Sequence, residues 1–145
     1  MRQKKTSSKA ASGTAAVNRR RLLNNESPFA IKEAYVKLRT SLMFCMTADK
    51  ERTCKTFAIT SSKPSEGKSL TAANVAISYA MLGKKVLLID ADMRKPTQHK
   101  IFRVSNSQGL SKLLSGLAPL KDSIQRDVVT NLDLIPSGPI PPNPS

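Results

Sequence analysis

The run Phe57-Ala58-Ile59-Thr60-Ser61-Ser62-Lys63-Pro64-Ser65-Glu66-Gly67-Lys68-Ser69 constrains the fold more than any other part of the chain. Its apolar start, residues 57–59, predicts a buried strand. A turn-rich segment follows and closes on Gly67-Lys68-Ser69. Leu70, Ala73, Ile77, Ala80 and Met81 then recur at helical spacing, and Gly83 stops the helix. Strand, glycine-bearing loop and helix with Gly-Lys-Ser at its mouth is a setting that cradles phosphate. The first N–H groups of such a helix point outward, and its dipole favours an anion there. The expected phosphate contacts are Ser65, Glu66, Gly67, Lys68, Ser69 and Leu70. Lys68 neutralises the β/γ-phosphates and the Ser69 hydroxyl holds Mg²⁺. The standard spacing has a glycine where this chain has Ser62. An ordinary turn with a Ser/Lys cap is the competing reading.

That reading does not account for the next stretch. Val86, Leu87, Leu88 and Ile89 predict a strand buried on both faces, and Asp90 and Asp92 follow at its end. In a parallel sheet the carboxyl ends of the strands form the ligand-binding edge. Both aspartates are therefore expected beside Lys68 and Ser69, as oxygen ligands for Mg²⁺. The plainer alternative is that they cap the segment that follows.

Ser62-Lys63-Pro64-Ser65-Glu66-Gly67-Lys68-Ser69 and Leu88-Ile89-Asp90-Ala91-Asp92-Met93-Arg94-Lys95-Pro96 resemble the deviant Walker A and Walker A′ motifs of bacterial tyrosine kinases. These are kinases of capsule and exopolysaccharide synthesis, on a P-loop scaffold shared with partition and septum-site ATPases. The segment Glu33-Ala34-Tyr35-Val36-Lys37-Leu38-Arg39-Thr40-Ser41-Leu42 is similar to the helix before the family's kinase core. The resemblance implies an α/β fold with a parallel sheet flanked by helices. It implies MgATP as phosphoryl donor and protein tyrosines, including the protein's own, as acceptors. Lys68, Asp90 and Asp92 would be catalytic, with Asp90 the base for the phenol, and Ser69, Asp90 and Asp92 would hold the metal. It also implies a transmembrane polysaccharide co-polymerase as activating partner and a ring-shaped oligomer. The ring helix of the family carries Glu-x-x-Arg-x-x-Arg; here Glu33 and Arg39 match and Val36 replaces the first arginine. Lys63 stands where related dimeric ATPases place a lysine that reaches the partner's nucleotide; an exposed side chain is the alternative.

The net charge of +14 divides unevenly. Seven of the 24 basic residues, and no acid, lie within residues 1–25. Residues 1–26 are therefore expected to be a disordered basic tail, drawn to anionic lipid or merely solubilising. It has no aromatic residue for base stacking, which argues against nucleic acid. Residues 27–145 form the expected domain. Two cysteines in no ligand spacing and a single histidine, His99, argue against a disulfide framework, a His-rich metal centre and a conventional triad. No apolar run reaches the roughly 20 residues of a membrane span. The expected location is the cytoplasm, with membrane association through a partner.

Along the chain, Ser27-Pro28 predicts a helix start. The stripe Ile31, Ala34, Tyr35, Leu38 and Leu42 predicts a helix that covers the sheet. Residues 49–52 read as a charged link. A right-handed βαβ unit should join residues 57–59 to the strand before Asp90. Short helices are expected over 98–104 and 109–115, a further amphipathic turn over 121–127, then a strand over 131–136. Five of the nine prolines fall in the last ten residues, an extended loop. The family's Walker B aspartate and tyrosine-rich tail do not occur, so the kinase domain is expected to be cut short and the chain weak or inactive alone. Two other functions remain open: a partition or septum-site ATPase, and a non-catalytic adaptor of a membrane co-polymerase.

Overall fold

The computed structural model describes residues 22–46 and 54–142. Most of the expected basic tail and the charged link lie outside these residues. The chain divides into two compact units. Among the described residues, the first comprises 23–46, 54–88 and 126–134, the second 22, 89–125 and 135–142.

The first unit is organised on helix α2, Lys68–Ala80. Residues 73 to 78 are all buried, so this helix is covered nearly all round rather than along one stripe. Val75 and Ile77 share the core with Leu132 and Leu134. Burial stabilises each such side chain by about 1.5–3 kcal/mol. Gly83 ends the helix as expected. It is left-handed at φ 78, its amide meets Ala80 O, and the Lys84 amide reaches back to Tyr79 O.

Helix α1, Phe29–Cys45, precedes it, with Pro28 as the N-cap residue. It was expected to bury an apolar stripe, yet none of its residues is buried. Its attachment is polar. Arg39 Nη1 donates to Ser78 O at 2.6 Å, Asn74 Nδ2 to Tyr35 Oη at 3.1 Å, and Tyr79 Oη to Arg39 O at 3.3 Å. Long side chains hold α1 at arm's length, which leaves Ile31 and Leu38 exposed. Residues 22–26, expected in the tail, form a turn instead. The Leu23 amide is buried on Asn74 Oδ1 at 2.8 Å.

Strands β1 (Val86–Ile89), β2 (Gln125–Val129) and β3 (Leu132–Ile135) make one sheet in the order β1-β3-β2. Val86 N bonds Asn131 O and Asp90 N bonds Ile135 O. Both strands advance by the same step in the same sense, so β1 and β3 are parallel. β2 and β3 are joined by Thr130 and Asn131 alone and run antiparallel. Asn131 tolerates the left-handed conformation, φ 66, that this turn needs. The sheet is therefore mixed rather than wholly parallel.

Two further expectations fail here. Residues 57–59 form no strand among the described residues. A strand exists only with a partner ladder, and these three residues join none. Phe57 instead rests against Tyr79, ring centroids 6.1 Å apart. The expected βαβ unit is thus replaced by the parallel pair β1 and β3. Nor is β1 buried on both faces, since Leu87 and Ile89 are each 46% exposed.

In the second unit, α3 (Gln98–Phe102), α4 (Leu110–Leu114) and α5 (Leu120–Ser123) are each about one turn long. The amphipathic turn expected over 121–127 is helical only to Ser123 and gives way to β2 at Gln125. Asn106 clasps Gly138 from both sides: its Nδ2 donates to Gly138 O at 2.8 Å, and its Oδ1 accepts the Gly138 amide at 2.9 Å. Gly109 packs backbone to backbone against Pro136 and Gly138, where a Cβ would collide with the Pro136 carbonyl.

Candidate functional site

The loop before α2 is shaped by two left-handed residues, Ser65 at φ 67 and Gly67 at φ 88. Alternating backbone of this kind turns successive N–H groups toward one concavity. Glu66 ties the loop from within. Its Oε2 accepts the Lys63 amide at 3.2 Å and lies 3.5 Å from Ser62 Oγ. The Lys63 side chain is exposed. Gly67 is the N-cap residue and no side chain caps the helix. Nothing lies within 4 Å of where a Gly67 Cβ would stand. Lys68, Ser69 and Leu70, all half-buried, form the first turn. The six expected phosphate contacts, Ser65 to Leu70, are thus contiguous at an uncapped helix mouth with open space before it.

Asp90 and Asp92 belong to the other unit. Asp90, 5% exposed, spends its carboxylate on backbone. Oδ2 accepts the amides of Thr97 at 3.1 Å and Gln98 at 3.0 Å, and Oδ1 that of Asp92 at 3.2 Å. A carboxylate offers about four lone-pair sites, so roughly one remains. This is the capping role that the sequence left as the plainer alternative. Asp92 is half-buried, and its Oδ1 accepts the Lys95 amide at 2.9 Å. His99 lies on α3 behind this loop. Burial first, then the Lys100 charge, lowers its pKa from 6.5, with Asp90 opposing. The sequence reading missed the amides of Thr97 and Gln98 as partners of Asp90. Pro96-Thr97, a stop followed by a capping-type residue, was the available signal.

The residues fit a magnesium nucleotide in their chemistry. The serine hydroxyl and carboxylates are the hard oxygen ligands that Mg²⁺ prefers. Among the described residues no three His, Cys, Asp or Glu side chains form a metal cage. A magnesium ion here would share its ligands with phosphate, as is usual for that ion.

The family model described as an AAA domain matches residues 54–139, which takes in both the loop and the aspartates. The chain belongs to the AAA domain family. Within that family its relatives are bacterial tyrosine kinases. It is 47% identical over 113 residues to the tyrosine-protein kinase YwqD of Bacillus subtilis (strain 168), covering 78% of this chain and 46% of that protein. Over 113 residues it is 41% identical to the tyrosine-protein kinase etk of Escherichia coli (strain K12), covering 78% of this chain and 15% of that one. Among solved structures, the kinase domain of Escherichia coli tyrosine kinase ETK superposes with a TM-score of 0.73 at 38% identity, over 79% of this chain and 44% of that one. The BceF tyrosine kinase domain gives 0.74 at 34% identity, over 93% and 54%. The AAA domain described here thus has the P-loop NTPase type of α/β fold, with a small mixed sheet. The chain spans about half the length of the first curated relatives it matches.

Proposed function

We propose that this chain supplies the nucleotide-binding part of a protein-tyrosine kinase acting in capsular or extracellular polysaccharide synthesis. The observation that carries this is the uncapped mouth of α2, reached through left-handed Ser65 and Gly67 and bearing Lys68 and Ser69. Backbone N–H groups of residues 65–70 cradle the triphosphate of ATP. Lys68 offsets charge on its outer oxygens, and the Ser69 hydroxyl is a magnesium ligand. A bound Mg²⁺ would add electrostatic stabilisation of the transferring phosphoryl group. Asp90 has at most one lone pair to spare, so its part is to shape the loop that presents Asp92. Its remaining lone pair keeps it the candidate base for a tyrosine phenol. The kinase names of the relatives support phosphoryl transfer to tyrosine; on this reading the acceptors include the protein itself. The same reading places the protein in the cytoplasm, beside a transmembrane co-polymerase, in a homo-oligomer built partly through α1. The basic tail would add attraction to anionic lipid.

The test is binding of a fluorescent ATP analogue with and without Mg²⁺. The intact chain should bind in a magnesium-dependent way, and Lys68→Met should weaken binding at least about 10-fold without altering the circular dichroism spectrum. Equal affinity of the two proteins would overturn the assignment. Phosphoamino-acid analysis then decides the reaction: labelled tyrosine marks a kinase, whereas water as sole acceptor marks an ATPase of the partition or septum-site type.

A further inference from the structure

We propose that residues 94–103 form a docking surface for an acidic polypeptide, the segment flanking the tyrosine to be phosphorylated. The inference rests on the kinase reading above and adds the substrate class. Between residues 90 and 103 the chain carries two acids and the four cations Arg94, Lys95, Lys100 and Arg103. Both acids are engaged by backbone amides. Asp90 is buried on three backbone amides, and Asp92 is half-buried with the Lys95 amide on one oxygen. All four cations are exposed, and none forms an ion pair with a described residue. Elsewhere in the described part of this unit, the exposed charges Lys121 and Asp122 cancel and Lys112 is half-buried. Solvent therefore meets a surface of one sign, the arrangement that steers an oppositely charged partner.

The frame beneath the cations is fixed. Besides the carboxylate bonds, the Met93 amide closes on Ala91 O at 3.0 Å. Arg103 ends α3 in the left-handed conformation, φ 57, where the Val104 amide closes on His99 O. Charges on a preset backbone lose less entropy on binding than charges on a free loop. Arg94 is two residues from Asp92 in the chain, so an acidic segment held by these cations brings its tyrosine toward that carboxylate. Nucleic acid fits less well, since the one aromatic residue of the segment, Phe102, is half-buried and offers no stacking platform. A lipid surface fits less well too. Ile101 is buried and no large apolar side chain between residues 94 and 103 is exposed for insertion.

The probe is a fluorescein-labelled peptide with three glutamates on each side of a tyrosine, titrated with the full chain by fluorescence anisotropy in about 0.15 M salt. The fourfold variant R94E/K95E/K100E/R103E is compared with a tail variant of equal charge change, K9E/R19E/R20E/R21E. An exposed charge pair is worth roughly a 1.4- to 5-fold change in affinity. The docking variant should therefore lose about 10-fold or more, and the tail variant less than about 3-fold. Should the fourfold variant lose its circular dichroism spectrum, R94Q/K95Q replaces it with an expected loss of about 3-fold. Equal losses for docking and tail variants overturn the proposal. So does an equal, loop-dependent loss of binding to phosphatidylserine vesicles or to a single-stranded oligonucleotide, which marks a general polyanion surface. Binding of the ATP analogue without loop-dependent peptide binding sinks the docking surface alone and leaves the kinase reading standing. Failure to bind the analogue sinks the reading beneath it.

Discussion

Asp90 offers the sharpest test of how this chain is built. Asp90→Asn preserves shape and replaces one acceptor oxygen with a donor. In the wild type, Oδ2 faces the Thr97 and Gln98 amides and Oδ1 faces the Asp92 amide. In its better orientation the asparagine keeps its oxygen toward Thr97 and Gln98, and its N–H groups then face the Asp92 amide. One donor is left unsatisfied, a cost of about 1–2 kcal/mol. The two surviving bonds fall from charged to neutral strength, about 0.5–1 kcal/mol each. The sum is about 2–4 kcal/mol, a large share of the 5–15 kcal/mol typical of a folded domain. Asp92→Asn is the counterpart: its amide oxygen can still accept the Lys95 amide, so stability should fall by less than about 1 kcal/mol. Urea denaturation followed by circular dichroism gives the stabilities, and hydrogen exchange gives protection at the Thr97 and Gln98 amides. If Asp90→Asn unfolds at the wild-type urea concentration and both amides stay protected, the carboxylate does not hold this loop.

Gly67→Ala meets no neighbouring atom but forces a side chain onto φ 88. It should cost about 1–2 kcal/mol in thermal or urea stability and weaken nucleotide binding beyond that; unchanged affinity would show that the loop needs no glycine there. His99 has a folded pKa below its ordinary 6.5, chiefly through burial. The unfolded chain therefore takes up the proton first, and stability should decline as pH falls below about 6.5 toward the lower folded value. His99→Gln should flatten that slope in urea titrations at several pH values. Asp133 is depressed by the Asp127 amide first and by Arg126 after partial burial is offset. Its contribution to the β2–β3 hairpin should be complete above the ordinary carboxylate value of about 4 and vanish as pH falls through the lower folded value. Asp133→Asn should remove that acid-range slope.

What could be read from the residues and what could not differ in range. The loop and α2 were legible because Gly67-Lys68-Ser69 and the period of Leu70, Ala73 and Ile77 are local signals. The same holds for β1, β3 and the stop at Gly83. The segment 57–59 misled because an apolar run declares burial, whereas a strand requires a neighbour that no local pattern names. β2 escaped because Gln125-Arg126-Asp127 lacks alternation; its pairing depends on the left-handed turn at Asn131 and on Arg126 meeting Asp133 at 2.6 Å. The shortfall of α1 has a similar origin. Its apolar stripe is real, but Arg39 and Tyr35 reach the buried edge of α2 before the aliphatic side chains do. For the candidate site, residue types were legible and their occupations were not. Asp90 presents the same letter whether it grips an ion or the amides of Thr97 and Gln98.

The Asn106–Gly138 clasp has a bearing on engineering. Two hydrogen bonds join positions 32 residues apart in sequence, and between them the chain passes through an exposed bend at Gly116 and Leu117. The free energy of closing such a circuit grows only with the logarithm of its length, about 0.6 kcal/mol for each doubling. A reporter sequence spliced in at that bend would lengthen the circuit without touching its fastening.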